Sequence, residues 1–146
     1  MFKLDTPQPS DYPTLLHIWE SSVKATHHFL KPEDVAFFKA TIQENKLFDL
    51  VRLTIARDEN NEIRGFLGVS GDAIEMIFLE PGTIGKGVGK QLLRYAIDEL
   101  KITKVDVNEQ NETALKFYQH FGFHITSRSE LDGTGKPYPI LHLQLS

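Results

Sequence analysis

The segment Leu79-Glu-Pro-Gly-Thr-Ile-Gly-Lys-Gly-Val-Gly89 decides the expected fold, because it joins a strand pattern to a helix pattern through three closely spaced glycines. The first turn of a helix carries backbone N–H groups without intrahelical acceptors, and the helix dipole favours negative charge there. Gly85, Gly87 and Gly89 keep side chains away from this turn, so a pyrophosphate can approach the backbone. Two interpretations stay open: a phosphate-binding loop, or glycines that only permit a tight turn.

Two other nucleotide-binding loops can be tested against the same segment by their spacing. A Walker A loop requires glycine, four further residues and then Gly-Lys-Ser or Gly-Lys-Thr. Here Gln91 follows Gly89-Lys90, and Ile84 stands where the first glycine belongs, so this loop is excluded. A dinucleotide loop that begins at Gly85 requires a small residue at position 90 and a βαβ unit around it. The large Lys90 and the preceding strand meander disfavour it.

The patterns on either side of the loop predict strands first, and then helices and strands in alternation. Before the loop, alternating residues predict strands near 51–56, 63–69 and 73–79, and the short turns between them indicate an antiparallel meander. After the loop, helical stripes at 88–100 and 114–121 alternate with strands at 102–107, 123–129 and 140–145. Two more helices are expected near the N-terminus, at about 12–24 and from Pro32 onward.

Composition restricts the class of protein. The 146 residues, 40% hydrophobic and 25% charged, are typical of a single soluble domain, expected to span residues 1–146. No apolar run is long enough for a membrane helix and the N-terminus lacks a secretory pattern, so we expect a cytoplasmic protein without membrane partners. The net charge of −4 and the absence of long basic runs disfavour nucleic acid. The absence of cysteine excludes disulfides, thiolate metal sites and a cysteine nucleophile.

A second motif, Asn111-x-x-Ala-x-x-Phe-Tyr-x-x-x-Gly-Phe123, follows the glycine loop. Together with Leu79-x-Pro-x-x-x-Gly-x-Gly-x-Gly89 it resembles the two signature motifs of the GNAT N-acetyltransferase superfamily. Residues 18–30, 107–111 and 135–139 extend the resemblance to nearly the whole chain. The resemblance implies a mixed α/β, GNAT-type fold: a twisted, mostly antiparallel sheet of about seven strands, with a parallel splayed pair at the cofactor site and about four flanking helices.

The resemblance also implies where acetyl-CoA binds. The cofactor would lie between the splayed strands, with its pyrophosphate on the amides of the glycine loop. The implied cofactor-binding residues are Ile77, Leu79, Ile84, Gly85, Lys86, Gly87, Val88, Gly89, Lys90, Asn108 and Asn111. The family usually has Arg or Gln at the position of Ile84, so one side-chain contact to the phosphates is expected to be missing, while the amides and the helix dipole remain.

Amide formation from a thioester requires a neutral amine, donors for the developing oxyanion and an acid for the departing thiolate. The resemblance implies that Tyr118 faces the CoA sulfur as the acid; alternatively, it only belongs to the apolar stripe of its helix. Glu75 lies in an otherwise apolar strand, where many relatives place a carboxylate that deprotonates the amine directly or through water. Alternatively, Glu75 is a solvated or salt-bridged carboxylate. The oxyanion donor would be a backbone N–H near Ile77.

The acceptor pocket is expected between the N-terminal helices and the last hairpin. Its candidate residues are Trp19, Ser22, Thr26, His27, Phe29 and Tyr138. Trp19 and Phe29 also fit ordinary core packing, and His27 is either a structural histidine or a second candidate for the base. The six histidines form no His-Glu-x-x-His pattern, so no metal is expected.

These observations predict an N-acetyltransferase. Acetyl-CoA and an amine, either a small molecule or a peptide, would react directly in a ternary complex, because no cysteine is present to carry a covalent acetyl group. Two alternatives stay open: a CoA-binding sensor or regulatory module without catalysis, and a protein-interaction module. The acceptor and the oligomeric state are not determined by the sequence.

Overall fold

A twisted sheet forms the centre of the computed structural model, which describes residues 2–146. Within these residues seven strands lie in the order β1-β2-β3-β4-β5-β7-β6. Their bounds are β1 Lys3–Asp5, β2 Arg52–Arg57, β3 Ile63–Ser70, β4 Ala73–Leu79, β5 Lys104–Asn108, β6 Phe123–Ser129 and β7 Ile140–Leu145. Strands β4 and β5 are parallel, and the other described neighbours are antiparallel. The predicted fold class is confirmed.

Two helices cover each face of the sheet. They are α1 Tyr12–Thr26, α2 Pro32–Glu44, α3 Val88–Asp98 and α4 Glu112–His120. Helices α1 and α2 pack with Phe66 in one apolar core, whereas α3 and α4 pack with Leu67 in the other. Phe66 and Leu67 are consecutive residues of β3, and consecutive side chains of a strand point to opposite faces. The sheet therefore separates two hydrophobic cores.

A β-bulge interrupts β4 at Glu75. Met76 pairs with Gly68 of β3 and Ile74 pairs with Val69, so Glu75 has no partner on β3. Strict alternation predicts that Ile74 and Ile77 point to opposite faces, but both pack in the core beneath α3 and α4, because the bulge adds one residue. Bulges of this kind change where a side chain points, and here the extra residue is the carboxylate predicted to be catalytic.

The sheet opens between its two parallel strands. β4 and β5 pair only at their starts, through Ala73 with Lys104 and Ile74 with Val105. Beyond these pairs β4 continues to Leu79 and β5 to Asn108 without further described pairing. The predicted splayed pair is therefore present, and it leaves a gap at the centre of the sheet.

Strand β1 is the element that the sequence patterns did not predict. It pairs with β2 along Lys3–Asp5, and the side chain of Gln91 in α3 holds the preceding residue, accepting from the N–H of Phe2 at 3.3 Å and donating to its carbonyl at 2.6 Å. A strand of three residues is too short to show a period-two pattern. Its formation depends on the edge of β2 and on α3, both distant in sequence.

Candidate functional site

The glycine loop connects β4 to α3 through a 3₁₀ turn at Pro81–Thr83. The hydroxyl of buried Thr83 donates to the carbonyl of Glu80 at 2.7 Å, which fixes the start of the turn. Gly85 and Gly87 then have φ values of 87° and 90°. Residues with a side chain rarely adopt this left-handed region, so both positions favour glycine.

Close packing, and not backbone conformation, favours glycine at position 89. Its φ is not positive, but a Cβ at this position would meet Cδ1 of Leu79 at 3.4 Å and Cζ of Phe117 at 3.6 Å. The first turn of α3 therefore lies in contact with the end of β4 and with α4. Two glycines of the loop shape the backbone, and the third permits close packing.

Backbone donors collect where α3 begins. Gly87 is the N-cap residue, and the next three N–H groups, from Val88 to Lys90, have no intrahelical acceptor. The N–H of Gln91 already donates to the carbonyl of Gly87 at 3.0 Å. The amides of the glycine loop were predicted to bind the pyrophosphate. The N–H of Lys86 is not free to do so, because it donates to the carbonyl of Thr83 at 3.1 Å. The loop thus offers donors to an anion, but not from Lys86 in this conformation.

The gap between β4 and β5 leads into a cavity of about 790 Å³. This volume lies within the range of small-molecule sites. The predicted site residues that line it are Ser22, Thr26, His27, Glu75, Ile77, Leu79, Ile84, Gly85, Gly87, Gly89, Lys90, Asn108, Asn111 and Tyr118. Lys86 lies outside this lining, and Val88 is fully buried in the core beneath the loop. We call this space the central cavity.

A second cavity of about 320 Å³ lies on the side of α1 and α2. It meets the central cavity, and the lining residues common to both are His27, Glu75, Met76, Phe78 and Asn108. Aromatic rings of Trp19, Phe38 and Tyr138 line its walls, and Asp132 adds a carboxylate. We call this space the side cavity. Its junction with the central cavity contains both predicted base candidates.

Trp19 and Phe29 behave differently from each other. Trp19 is buried, packs edge-on against Phe78 with ring centroids 6.5 Å apart, and also lines the side cavity, so it serves as core and as wall. Phe29 lies outside the lining of both cavities. Its ring instead packs against His27 and Tyr138, at centroid distances of 5.3 and 6.1 Å. Phe29 therefore packs against two predicted site residues without lining either cavity.

The ring of Tyr118 is buried in α4, 5.8 Å from the ring of Phe123, while the residue also lines the central cavity. Its hydroxyl makes no hydrogen bond within residues 2–146, yet no fully buried polar side-chain atom in this range lacks a partner. The hydroxyl consequently opens into the cavity. Burial raises the pKa of Tyr118 above its ordinary value, so the phenol keeps its proton at neutral pH.

Glu75 is exposed at the junction of the two cavities. Among residues 2–146 its carboxylate has no salt bridge or hydrogen bond. The described residues therefore do not form the salt bridge that one interpretation of Glu75 requires. The bulge also leaves Glu75 without a partner residue on β3, and Glu75 lines both cavities.

His27 is the C-cap residue of α1 and lies between that helix and α4. Its Nδ1 is 2.7 Å from Oγ1 of Thr26, and its Nε2 is 3.5 Å from Nδ2 of Asn111. Asn111 is the N-cap of α4, and its Oδ1 accepts the N–H of Ala114 at 3.2 Å. Burial and, to a smaller extent, the neighbouring charge of His28 lower the pKa of His27.

Asp34 is a buried carboxylate in the first turn of α2, and the sequence patterns did not assign it to the site. It accepts a very short hydrogen bond from the hydroxyl of Tyr138, and its Oδ1 lies 3.0 Å from Nζ of Lys136. The hydroxyl of Tyr138 also accepts the N–H of Lys31 at 3.3 Å. These contacts, which we call the loop anchor, fasten the β6–β7 loop to the start of α2. The bond from Tyr138 and the charge of Lys136 lower the pKa of Asp34.

Two further observations concern metal binding and membrane insertion, which the sequence does not favour. Residues 2–146 contain no cluster of three or more histidine, aspartate or glutamate side chains placed to hold a metal ion. None of the helices in the same range is long and apolar enough to cross a membrane.

Comparisons with known proteins identify the family. A family model described as an acetyltransferase (GNAT) domain matches residues 49–125. The peptidyl-lysine N-acetyltransferase YjaB of Escherichia coli (strain K12) is 40% identical over 136 residues, which cover 88% of this chain and 86% of that protein. The solution structure of apo-form YjaB from Escherichia coli has a TM-score of 0.89 at 34% identity and covers 99% of this chain and 97% of that chain.

A more distant solved structure has the same fold. The PaiA N-acetyltransferase from Thermoplasma acidophilum, in complex with coenzyme A, matches with a TM-score of 0.77 at 19% identity. The match covers 100% of this chain and 99% of that chain.

Proposed function

Because this chain belongs to the GNAT acetyltransferase family and is an acyltransferase, we propose that it transfers the acetyl group of acetyl-CoA directly to an amine, in the space between β4 and β5. The observation that carries the proposal is the meeting of two cavities at His27, Glu75 and Asn108. One cavity is large enough for the reactive end of the cofactor and the other admits an acceptor. Two reactants held in adjoining cavities can react without a covalent enzyme intermediate.

The central cavity has the features that a CoA site requires. The left-handed glycines Gly85 and Gly87 expose backbone donors at the N-terminus of α3, and Lys90 adds a positive charge to the lining. Ile77 and Leu79 supply an apolar wall along β4, as the pantetheine part of a CoA ester requires. We assign cofactor contacts to these residues and to Ile84, Gly89, Asn108 and Asn111.

Tyr118 is proposed to stabilise the thiolate of CoA as it departs. Its hydroxyl is free to donate, and the raised pKa keeps the proton on the phenol through the physiological range. Glu75 is proposed to attract the ammonium form of the acceptor to the cavity junction, where its unpaired carboxylate lies. The bulge at Glu75 also frees nearby backbone groups, which supports an oxyanion donor from the main chain of β4.

The acceptor is proposed to be a lysine side chain of a peptide or protein. Two aromatic walls, Trp19 and Tyr138, suit the long apolar stem of lysine, and Glu75 and Asp132 suit its ammonium group. The curated relative from Escherichia coli is named as a peptidyl-lysine N-acetyltransferase, which agrees with this chemistry. A small alkyl amine has the same end group, so a comparison of the two substrates tests the assignment.

Calorimetric titration with acetyl-CoA tests the cofactor site, with Gly87→Ala and Gly71→Ala as a matched pair. Both glycines have left-handed φ values and open space around them, but Gly71 lies in the β3–β4 turn away from the cavity. Each substitution strains the backbone by about 1–2 kcal/mol. We expect a weaker affinity for acetyl-CoA, by about tenfold or more, only with Gly87→Ala. Absence of binding at millimolar acetyl-CoA contradicts the proposal.

Release of free CoA distinguishes an enzyme from a sensor. A lysine-containing peptide with a blocked α-amine is incubated with acetyl-CoA, and thiol release and peptide mass are followed together. We expect equimolar CoA and N-acetyl-lysine. Tight acetyl-CoA binding without thiol release, for peptides and for small alkyl amines alike, indicates a sensor instead.

A further inference from the structure

We propose that His27 is the general base of the transfer and that Thr26 and Asn111 hold its Nε2 lone pair toward the reacting amine. The inference rests on the proposed function, because it assigns a proton acceptor to the same site. His27 lines both cavities, so it is placed where an amine from the side cavity meets a thioester in the central cavity.

The hydrogen bonds around Thr26 determine which nitrogen of His27 carries the proton. The hydroxyl of Thr26 donates its hydrogen to the carbonyl of Ser22 at 2.7 Å. Oγ1 of Thr26 also lies 2.7 Å from Nδ1 of His27. Because its only hydrogen is already used, this oxygen can only accept a hydrogen bond from Nδ1. Nδ1 must carry the hydrogen, and in the neutral ring Nε2 is left with a lone pair.

Asn111 fixes the other side of the ring. Its Oδ1 accepts the N–H of Ala114 at the start of α4, so the amide is oriented with Nδ2 toward Nε2 of His27, at 3.5 Å. This contact is long for a hydrogen bond and leaves Nε2 available to a closer donor. The ring is thus held between α1 and α4 in the tautomer that a general base requires.

The surroundings of His27 favour the neutral ring. Burial, with a smaller contribution from His28, lowers the pKa of His27, so the imidazole is unprotonated at neutral pH. The other titratable groups that face the two cavities are His28 from the α1–α2 junction, Glu75 from β4, Lys90 from α3, Asp106 from β5, Tyr118 from α4, and Asp132 and Tyr138 from the β6–β7 loop.

Glu75 lacks the features that make His27 a base. It is exposed, and no hydrogen bond from the described residues 2–146 holds its carboxylate in one orientation. Glu75 accordingly attracts the ammonium group, and His27 accepts the proton.

The proton balance of the step is simple. The ammonium group held by Glu75 first releases one proton to solvent and becomes a neutral amine. The amine nitrogen then forms a bond to the acetyl carbon, the carbon–sulfur bond breaks, and the nitrogen loses a second proton to Nε2 of His27. The departing thiolate accepts a hydrogen bond from Tyr118 and takes a proton from solvent. The imidazolium returns its proton to solvent, so the products are the amide and the CoA thiol.

Paired variants of two histidines test the assignment. His17 lies on α1, is exposed and lines neither cavity, which makes His17→Gln the matched control for His27→Gln. We expect His27→Gln to lower kcat by about 100-fold or more, and to remove the acidic limb of the pH profile of kcat/KM, which lies below the ordinary histidine pKa in the wild type. His17→Gln should retain both the activity and the acidic limb. Thermal melting and acetyl-CoA titration confirm that each variant folds and binds cofactor.

Thr26 is a positioning residue, and its variants separate tautomer control from simple packing. Thr26→Ser keeps the hydroxyl, whereas Thr26→Val keeps the shape and removes the acceptor for Nδ1–H. We expect Thr26→Val to lower kcat by about tenfold and to shift the acidic limb of the pH profile, with little change in KM for acetyl-CoA. Thr26→Ser should keep the wild-type kcat and the wild-type acidic limb.

The outcome that overturns the inference is an unchanged acidic limb in His27→Gln together with its loss in Glu75→Gln, which would assign the base to the carboxylate. That result leaves acetyl-CoA binding and CoA release intact. Failure of the proposed function itself would abolish binding or release in the wild-type protein, so the two failures are distinguishable.

Discussion

The central cavity and the side cavity are constructed in opposite ways. The central cavity is formed mainly by consecutive segments: β4, the glycine loop and the start of α3, and then β5 and the start of α4. The side cavity brings the N-terminal helices against the β6–β7 loop, and the loop anchor joins Asp34 to Tyr138 across 104 positions of sequence. The proposed cofactor side is thus built mainly from segments that follow one another in the chain, whereas the proposed acceptor side joins segments about a hundred residues apart.

The two cavities differ in how far their residues can vary. Left-handed glycines and helix N–H groups bind any phosphate ester by the same backbone geometry, so the cofactor side tolerates little variation. The acceptor side depends on side chains such as Trp19, Asp132 and Tyr138, whose replacement leaves the backbone intact. Substitutions on the two sides should accordingly separate catalysis and cofactor binding from acceptor recognition.

The largest effect is expected from Tyr118→Phe, which tests the catalytic part of the central cavity. Removing the hydroxyl leaves the thiolate without its donor, and we expect kcat to fall by about 100-fold while the affinity for acetyl-CoA changes little. Tyr95→Phe is the control, because Tyr95 packs at the edge of the same core outside the cavity lining. Equal kcat values for wild type and Tyr118→Phe, with a peptide acceptor, would show that the tyrosine only packs.

An intermediate effect is expected from Asp34→Ala, which releases the loop anchor on the acceptor side. Tyr138 and Lys136 lose their common partner, so the β6–β7 loop is held less firmly over the side cavity. We expect KM for the acceptor to rise by about tenfold, without a change in acetyl-CoA affinity. Glu33→Ala, in the same first turn of α2 but exposed, is the control. A change in cofactor affinity instead of acceptor KM would contradict the separation of the two sides.

A smaller effect is expected from Ile84→Arg, which restores the side chain usual in the family. Ile84 is 49% exposed and lines the central cavity beside the glycine loop. A guanidinium there can pair with a phosphate, and we expect acetyl-CoA to bind about fivefold more tightly in calorimetry, with the gain reduced by salt. Leu50→Arg exchanges another exposed apolar residue outside both cavities and should leave the affinity unchanged.

The smallest effect concerns stability against acid. The pKa of Asp34 is lowered in the folded protein, so its stabilising contribution is present above the ordinary value of 3.8 and is lost as the pH falls through the folded value. We expect the melting temperature to decrease by a few degrees between about pH 5 and about pH 2.5, and to decrease less in Asp34→Asn. Asp72→Asn, which removes an exposed pair with Lys104, should follow the wild type.

Local patterns predicted most of the elements. Strand patterns predicted β2 to β7, and helical patterns predicted the four helices of residues 2–146, because these segments are long enough to show such patterns. The prediction did not include β1, which has three residues. It also did not include the bulge at Glu75, because an extra residue in one strand is visible only against the register of its neighbour.

Part of the candidate site could also be predicted from local patterns. The loop glycines and Tyr118 belong to motifs of fixed spacing, and the cavity gathers them. The distinction between Gly87 and Gly89 came from the fold, since one has a left-handed φ and the other contacts Leu79 and Phe117. Asp34 was not predicted to belong to the site, because its partners lie in a loop about a hundred residues away.

The family, the order of the main elements and the phosphate-compatible turn before α3 were predictable from the sequence, because each depends on short-range periodicity, glycine conformation or motif spacing. Three features were not predictable from local patterns: the splay of β4 from β5, the junction of the two cavities, and the orientation of His27 between Thr26 and Asn111. Those features depend on contacts between segments far apart in the chain, and such contacts form only when the sheet brings its two helical layers together.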